Sequence, residues 1–424
     1  MQLFQVLRQG STILVGVFFA KSTLSQTAIG QFEMLLFMGY TLTFFWINSL
    51  LQGLLPLYPN LDRQARGVLF FNNYLLFTAL STLLGLLLYT IPNFWSSTLV
   101  GETELPFLRL FAIYLWINIP TYLVEYFYLL QKKPLGILAF GIFAFGGHLL
   151  VVLLPVFLGY GLQWSFYGLI ALALAKHLWT LIFLFRSAYV AWRPPLWQQH
   201  LALTFPLLLF TILSGLTTIF DNWLVGWFYE DEASFAIFRF GAKELPLVTA
   251  LASAFSASLI PEIASDLPRA LRMIRQKSLV LFHLLFPLST LLVLSSYWWF
   301  PLVFNPSFAD SAKIFNLYLL VLISRMVFTH TILIGLQRTD VVLYISIIEV
   351  TVNVLLSLLL VRIWGMEGIA LATVIAFSLE KILTMLYLYY WRGLPPRQYL
   401  HGPYLVGYSL VLLGAYAFVQ VYFA

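Results

Sequence analysis

The chain has 424 residues, of which 61% are hydrophobic and 9% charged, and its mean hydropathy is +0.90. A soluble domain carries about 25% charged residues, so this chain cannot cover a water-facing surface and must have lipid as its solvent. The net charge of +6 comes with no basic stripe interleaved with aromatics, which speaks against nucleic acid, and the absence of cysteine excludes disulfides and thiol chemistry.

Thirteen membrane-spanning α-helices are predicted, near 3–22, 30–55, 67–89, 106–131, 134–158, 165–187, 199–227, 235–262, 278–300, 311–336, 340–363, 366–391 and 403–423. Each run is continuous and too long for a barrel strand. The first is read as a span and not as a cleavable signal, because no small-residue cleavage site follows it.

Fourteen of the 23 basic residues fall in one set of termini and loops. They are Arg8, Arg63, Arg66, Lys132, Lys133, Arg186, Arg193, Arg269, Arg272, Arg275, Lys277, Arg338, Arg392 and Arg397. The opposite loops hold Glu102, Glu104, Glu230, Asp231, Glu232, Asp310 and Glu367. Positive loops stay inside, so the N-terminus is expected in the cytoplasm and Ala424 outside. The loop 263–277 carries Arg269, Arg272 and Arg275 at intervals of three. It reads equally as a basic helix on the anionic inner leaflet or as plain topology.

The chain repeats itself. Arg109-Leu110-Phe111-Ala112-Ile113-Tyr114-Leu115 returns as Lys313-Ile314-Phe315-Asn316-Leu317-Tyr318-Leu319. Trp164-x-x-x-Gly168 returns as Trp364-x-x-x-Gly368, and Lys176 has a partner in Lys381. Six helices per copy is an even number, so both copies enter the membrane from the same side. The expected architecture is two pseudo-symmetric six-helix bundles, 1–190 and 191–397, around a central cavity, with an extra helix over 398–424.

Ionisable groups inside the membrane are costly and mark function by default. The cations are Lys21, Lys176, Arg239, Lys243, Arg325 and Lys381; the anions are Glu33, Glu125, Asp221, Glu244, Glu349 and Glu380. Arg239 and Lys243, four residues apart, are expected on one helix face, where two cations could hold a phosphate or an acidic sugar. The other reading pairs them with Glu33, Glu244 or another carboxylate. Arg325 is a further anion site, and Lys21 either binds ligand or snorkels to the outer surface. Asp221 and Glu349 are candidate proton or sodium sites, or else partners for Arg239 and Arg325. Asn353 follows Glu349 by one turn, and His148 holds the matching place in the first half. Phe44, Phe45 and Trp46 could stack on sugars or pack between helices. No phosphate loop, metal-ligand cluster or nucleophile elbow is present, so no cofactor, metal or enzymatic activity is expected.

Several stretches resemble the polysaccharide-transport branch of the multidrug/oligosaccharidyl-lipid/polysaccharide (MOP) exporter superfamily. Leu24-Ser25-Gln26-Thr27-Ala28-Ile29-Gly30-Gln31-Phe32-Glu33 resembles its link from helix 1 to helix 2. Phe235-Ala236-Ile237-Phe238-Arg239 with Leu259-Ile260-Pro261-Glu262 resembles its helix 8, and Ala312-Lys313-Ile314-Phe315 with Gly335-Leu336-Gln337-Arg338 its helix 10. Ile348-Glu349-Val350-Thr351-Val352-Asn353 and Gly365-Met366-Glu367-Gly368-Ile369-Ala370-Leu371-Ala372-Thr373 resemble helices 11 and 12. The resemblance extends to about residue 391. It implies a flippase of bacterial inner membranes that translocates undecaprenyl-diphosphate-linked oligosaccharide by alternating access, for O-antigen, capsule or exopolysaccharide assembly. It also implies membrane lipids and other polysaccharide-assembly membrane proteins as partners. The family's cationic cavity, carried to this sequence, best fits Arg239 and Lys243, then Arg325 and Lys21. The thirteenth span departs from the family's usual twelve or fourteen. The arginine-rich start of the lipid II flippases is absent. An ion-coupled drug or metabolite exporter is the nearest alternative, although helix 1 has Lys21 and no acid. A glycan polymerase or ligase would need a large outer loop, and none exceeds about 17 residues.

Overall fold

The computed structural model describes residues 2–58, 61–191 and 193–423. Ala424, expected outside the membrane, lies beyond the described residues. The described residues form helices and no strands. In a chain this apolar, only a helix satisfies the backbone N–H and C=O groups within one segment.

The molecule packs as two compact units. One comprises Met1–Gly215 and Val225–Ala236. Its helices are α1 (Gln2–Ala20), α2 (Gln26–Leu57), α3 (Arg63–Thr90), α4 (Pro92–Val100), α5 (Leu108–Asn118), α6 (Leu123–Leu130), α7 (Pro134–Gly141), α8 (Gly147–Phe157), α9 (Leu162–Ser187) and most of α10 (Pro194–Tyr229). Its core is aromatic: Phe32, Phe70, Phe77, Phe127 and Phe166 are buried, and Phe70 packs against Phe127 with the rings tilted. Phe44 stacks on Tyr40 at 4.9 Å and is itself buried, so it packs between helices.

The other unit comprises Leu216–Leu224 and Ile237–Ala424. It takes the end of α11 (Glu232–Gly241), then α12 (Pro246–Ser265), α13 (Leu267–Val303), α14 (Ser311–Arg325), α15 (Thr329–Gly335), α16 (Thr339–Arg392) and α17 (Gly402–Phe423). Among the described residues ten helices are long and apolar enough to cross a membrane, or eleven when α14 and α15, bent by 43°, count as one span. At 54 residues α16 would reach about 81 Å as a straight rod, far beyond a bilayer. It turns at Gly365, whose φ of 59° and ψ of −137° make two spans of one helix. Each of the thirteen predicted segments is therefore helical over most of its length.

The repeat is written in the backbone. Ser25 and Asp231 each cap a helix by accepting the N–H three residues on. Asp62 and Asp266 do the same for Ala65 and Arg269. Lys132 and Gln337 adopt φ of 57° and 58°, and beyond them Lys133 N bonds Tyr128 O at 2.9 Å as Arg338 N bonds Leu333 O at 2.8 Å. Gly161 (φ 76°) stands where Gly365 does, at the entry to the sixth span of its copy. These four pairs lie 204 to 206 residues apart. The Trp-x-x-x-Gly match is out of that register: Trp364 precedes its turning glycine, whereas Trp164 follows its own.

Two further expectations change. The eighth span is not one helix, because α11 stops at Gly241 and residues 242–245 are not helical before Pro246 opens α12. Proline supplies no N–H and holds the preceding Leu245 in an extended conformation (φ −60°, ψ 120°). The stretch 263–277 is no loop either, since α13 begins at Leu267 and its first turns carry Arg269, Arg272 and Arg275.

Gly161 has open space where a Cβ would sit, so Gly161→Ala isolates the cost of its left-handed backbone. The expected loss is about 1–3 kcal/mol, read as a lowered unfolding midpoint in detergent. An unchanged midpoint would show that this turn relaxes freely.

Candidate functional site

Two clusters of polar and charged groups stand out in the second unit. The first is built on α10. Asp221, only 1% exposed, has Oδ2 accepting from Thr373 Oγ1 at 2.6 Å and from the Tyr318 hydroxyl at 3.2 Å. Asn353 and Ser357, one turn apart on α16, face the same carboxyl group. Asn353 also donates to Thr373 Oγ1 at 3.1 Å. One turn before Asp221, Thr217 donates to Glu349 Oε1 at 3.2 Å, and Glu349 sits one turn before Asn353. The turn at Gly365 is what brings Thr373, on the second limb of α16, back against Asn353 on the first.

Among the described residues Asp221 makes no ion pair, so neither Arg239 nor Arg325 is its partner. Three buried oxygens of this cluster, Asp221 Oδ1, Asn353 Oδ1 and Ser357 Oγ, make no hydrogen bond of ordinary geometry, although Asn353 and Ser357 stand within reach of the carboxyl group. A buried carboxylate without a counter-charge must take a proton or a cation. A cluster of oxygen donors with neither nitrogen nor sulfur suits a hard cation. The residues present therefore fit a proton or a small hard cation.

The second place lies where α14 breaks into α15. Arg325 ends α14 and holds Glu244 with two parallel bonds, Nε to Oε2 at 2.9 Å and Nη2 to Oε1 at 2.6 Å. Glu244 is in the non-helical link before Pro246, so the break in the eighth span is what presents this carboxylate to Arg325. Nearby, Glu380 joins two partners: His330 Nε2 lies 2.8 Å from Oε1, and Lys381 Nζ lies 2.8 Å from Oε2. Arg325, His330 and Lys381 line one cavity of about 370 Å³ with Ser253, Ser256 and Thr331.

The remaining predicted cations are placed differently. Arg239, on α11, donates to Asn222 Oδ1 at 3.4 Å, beside Asp221 in sequence. Lys243 lies past the end of that helix, with Nζ 4.8 Å from the centre of the Phe240 ring. The two do not share a helix face, because Pro246 forbids the continuous helix that the spacing of four assumed. Lys21 belongs to the first unit and is exposed in the turn that ends α1. In that unit His148 Nδ1 lies 3.0 Å from Ser11 Oγ, and Arg8 holds the buried Glu125 at 2.7 and 2.6 Å. Tyr318, Ser357 and Thr373 were not singled out as site residues from sequence. The signal that could have found Ser357 is the four-residue ladder Glu349, Asn353, Ser357 in an otherwise apolar helix.

No family model matches the chain, and no curated protein matches it in sequence. Solved structures do. The lipid II flippase MurJ in an inward closed conformation aligns with a TM-score of 0.73 over 100% of this chain and 94% of its own, at 17% identity. An inward-facing multidrug transporter of the MATE family, of the MOP superfamily, gives 0.65 over 90% and 93%, at 12% identity. The fold is that of the MOP superfamily. A MATE transporter of Vibrio cholerae also shares it, with 0.54 over 93% and 98% at 15% identity. Identities this low establish the MOP-type fold and assign no substrate. Within that fold, both polar places described above lie in the second unit.

Proposed function

We propose that this chain is a flippase for an undecaprenyl-diphosphate-linked oligosaccharide in the bacterial inner membrane, with its N-terminus in the cytoplasm and two homologous halves working by alternating access. The observation that carries this reading is the likeness, over the whole chain, to a flippase whose cargo is itself lipid-linked. The existence of both inward- and outward-facing structures of this fold supports alternating access. The fold likeness to transporters supports movement of a solute and not its chemical conversion.

In this reading Arg239, Lys243, Arg325 and Lys21 meet the diphosphate or acidic sugars. A phosphate can take the remaining three N–H donors of Arg325, or exchange with the carboxylate of Glu244 for the two that it already holds. That exchange couples cargo binding to the link between α11 and α12. Asp221, with Glu349 one step removed, would carry the driving ion. The buried oxygens around Asp221 also suit an ion-coupled exporter of drugs or metabolites, which is the second reading.

The test uses purified protein in vesicles holding a fluorescent undecaprenyl-diphosphate oligosaccharide, with leaflet exposure followed by chemical quenching. Transfer should appear only with protein and should speed up under a sodium or proton gradient. Arg239→Ala, Lys243→Ala and Arg325→Ala should each slow it by about 10-fold or more, the scale of one lost charge-assisted contact. No protein-dependent transfer, together with gradient-driven uptake of a cationic dye, would replace this reading with the exporter.

A further inference from the structure

Arg272, Arg275 and Arg397 converge on one concavity of about 610 Å³ at the start of α13. Arg272 and Arg275 come from the first turns of that helix, while Arg397 arrives from the link between α16 and α17. All three are exposed, and none makes an ion pair with a described residue. Leu271 and Leu394 supply an apolar wall beside them.

The link is stiff, so Arg397 is held in place. Gly393 ends α16 with φ of 63°, and Leu394 N closes back on Leu388 O at 2.9 Å. Pro395 and Pro396 follow, each with a fixed φ. Tyr399 and Leu400 are then buried, anchoring the far end. Beyond them α17 packs along α13, where the Tyr408 hydroxyl meets His283 Nδ1 at 2.6 Å and the Tyr408 ring stacks on Phe286. Burial and the nearby Arg275 push His401 below the usual histidine range.

Positive loop charge alone requires no such convergence. Topology is satisfied by basic residues scattered anywhere on the inner side, whereas here guanidinium groups more than a hundred residues apart in sequence face one cavity. Guanidinium groups match phosphate oxygens in a two-pronged geometry that lysine lacks. The cavity lies at the start of the apolar helix α13 and beside the link that leads into the apolar helix α17, and Leu271 and Leu394 line it together with the arginines. We propose that it binds the phosphate of an anionic phospholipid of the leaflet it faces. The site is separate from the cargo cations and does not depend on what is transported.

The full chain in detergent is titrated with dioctanoyl phosphatidylglycerol, dioctanoyl phosphatidylcholine and inorganic phosphate, with bound species counted by native mass spectrometry. Phosphatidylglycerol should bind at least about 10-fold more tightly than phosphatidylcholine. The variant R272Q/R275Q/R397Q should lose that preference. The variant K132Q/K133Q/R186Q, which also removes three positive charges, should keep it within about 2-fold. Equal loss in both variants would reduce the effect to general surface charge and overturn the site. Displacement of the lipid by millimolar inorganic phosphate would overturn the lipid assignment in favour of a soluble phosphate.

Discussion

Asp221→Asn abolishes the response of transport to an ion gradient while leaving the protein folded. Asparagine keeps the shape and the acceptor oxygen that Thr373 and Tyr318 use, but it cannot hold a proton or balance a cation. Removing a charged ligand from an oxygen-lined site should weaken cation affinity by roughly 10- to 100-fold or more. If the ion is sodium, the wild type gains stability as sodium rises, by about 2.7 kcal/mol at a concentration 100 times the dissociation constant. The variant's melting temperature should then be flat in sodium. If the ion is a proton, wild-type transport should follow the pH gradient, and the variant's should not. Retention of gradient-driven transport by Asp221→Asn would remove this cluster from the coupling mechanism. Ser357→Ala and Asn353→Ala should show the same defect in weaker form, because each removes one of the buried oxygens around Asp221.

Arg8→Ala should be among the most destabilising single changes in the first unit. The Glu125 side chain is 4% exposed and takes both of its bonds from Arg8. Removing one partner of a buried ion pair leaves an uncompensated charge and costs about 3–5 kcal/mol. Lys176 is the other cation acting on Glu125, which puts the expected loss at the lower end of that range. The double change Arg8→Ala with Glu125→Leu removes both charges and should recover most of the stability. The measurement is unfolding in detergent, followed by tryptophan fluorescence. If the single change is silent, or if the double change is worse than the single, the pair is not the internal clamp that its geometry indicates.

The same two residues show where sequence reading stops. Arg8 was assigned to the cytoplasmic terminus because its neighbours in sequence place it there. Its partner lies 117 positions away. Hydropathy sees a residue's place along the chain, not which distant residue reaches it. Asp221 is a parallel case. The polar ladder Glu349, Asn353, Ser357 is visible in α16, yet nothing in the sequence says that Thr217 and Asp221 stand against it or that Thr373 folds back to join them. Lys243 failed for a different reason. The spacing from Arg239 assumes an unbroken helix, but α11 ends at Gly241, five residues before Pro246 opens α12, and the link between them places Glu244 in reach of Arg325 instead.

The positions of the helices, by contrast, follow from composition alone. In lipid each backbone polar group needs a partner within its own segment, so each long apolar run is helical over most of its length wherever its neighbours lie, with breaks before Pro246 and between α14 and α15. An internal repeat is likewise legible, because Arg109-Leu110-Phe111 and Lys176 recur as Lys313-Ile314-Phe315 and Lys381 at close to the offset at which caps and positive-φ turns recur in the structure. The pairing of charges and the gathering of oxygens around Asp221 depend on contacts between helices far apart in the chain. In a uniformly apolar sequence no periodicity marks which face of a helix meets which neighbour, so only the packed structure decides them.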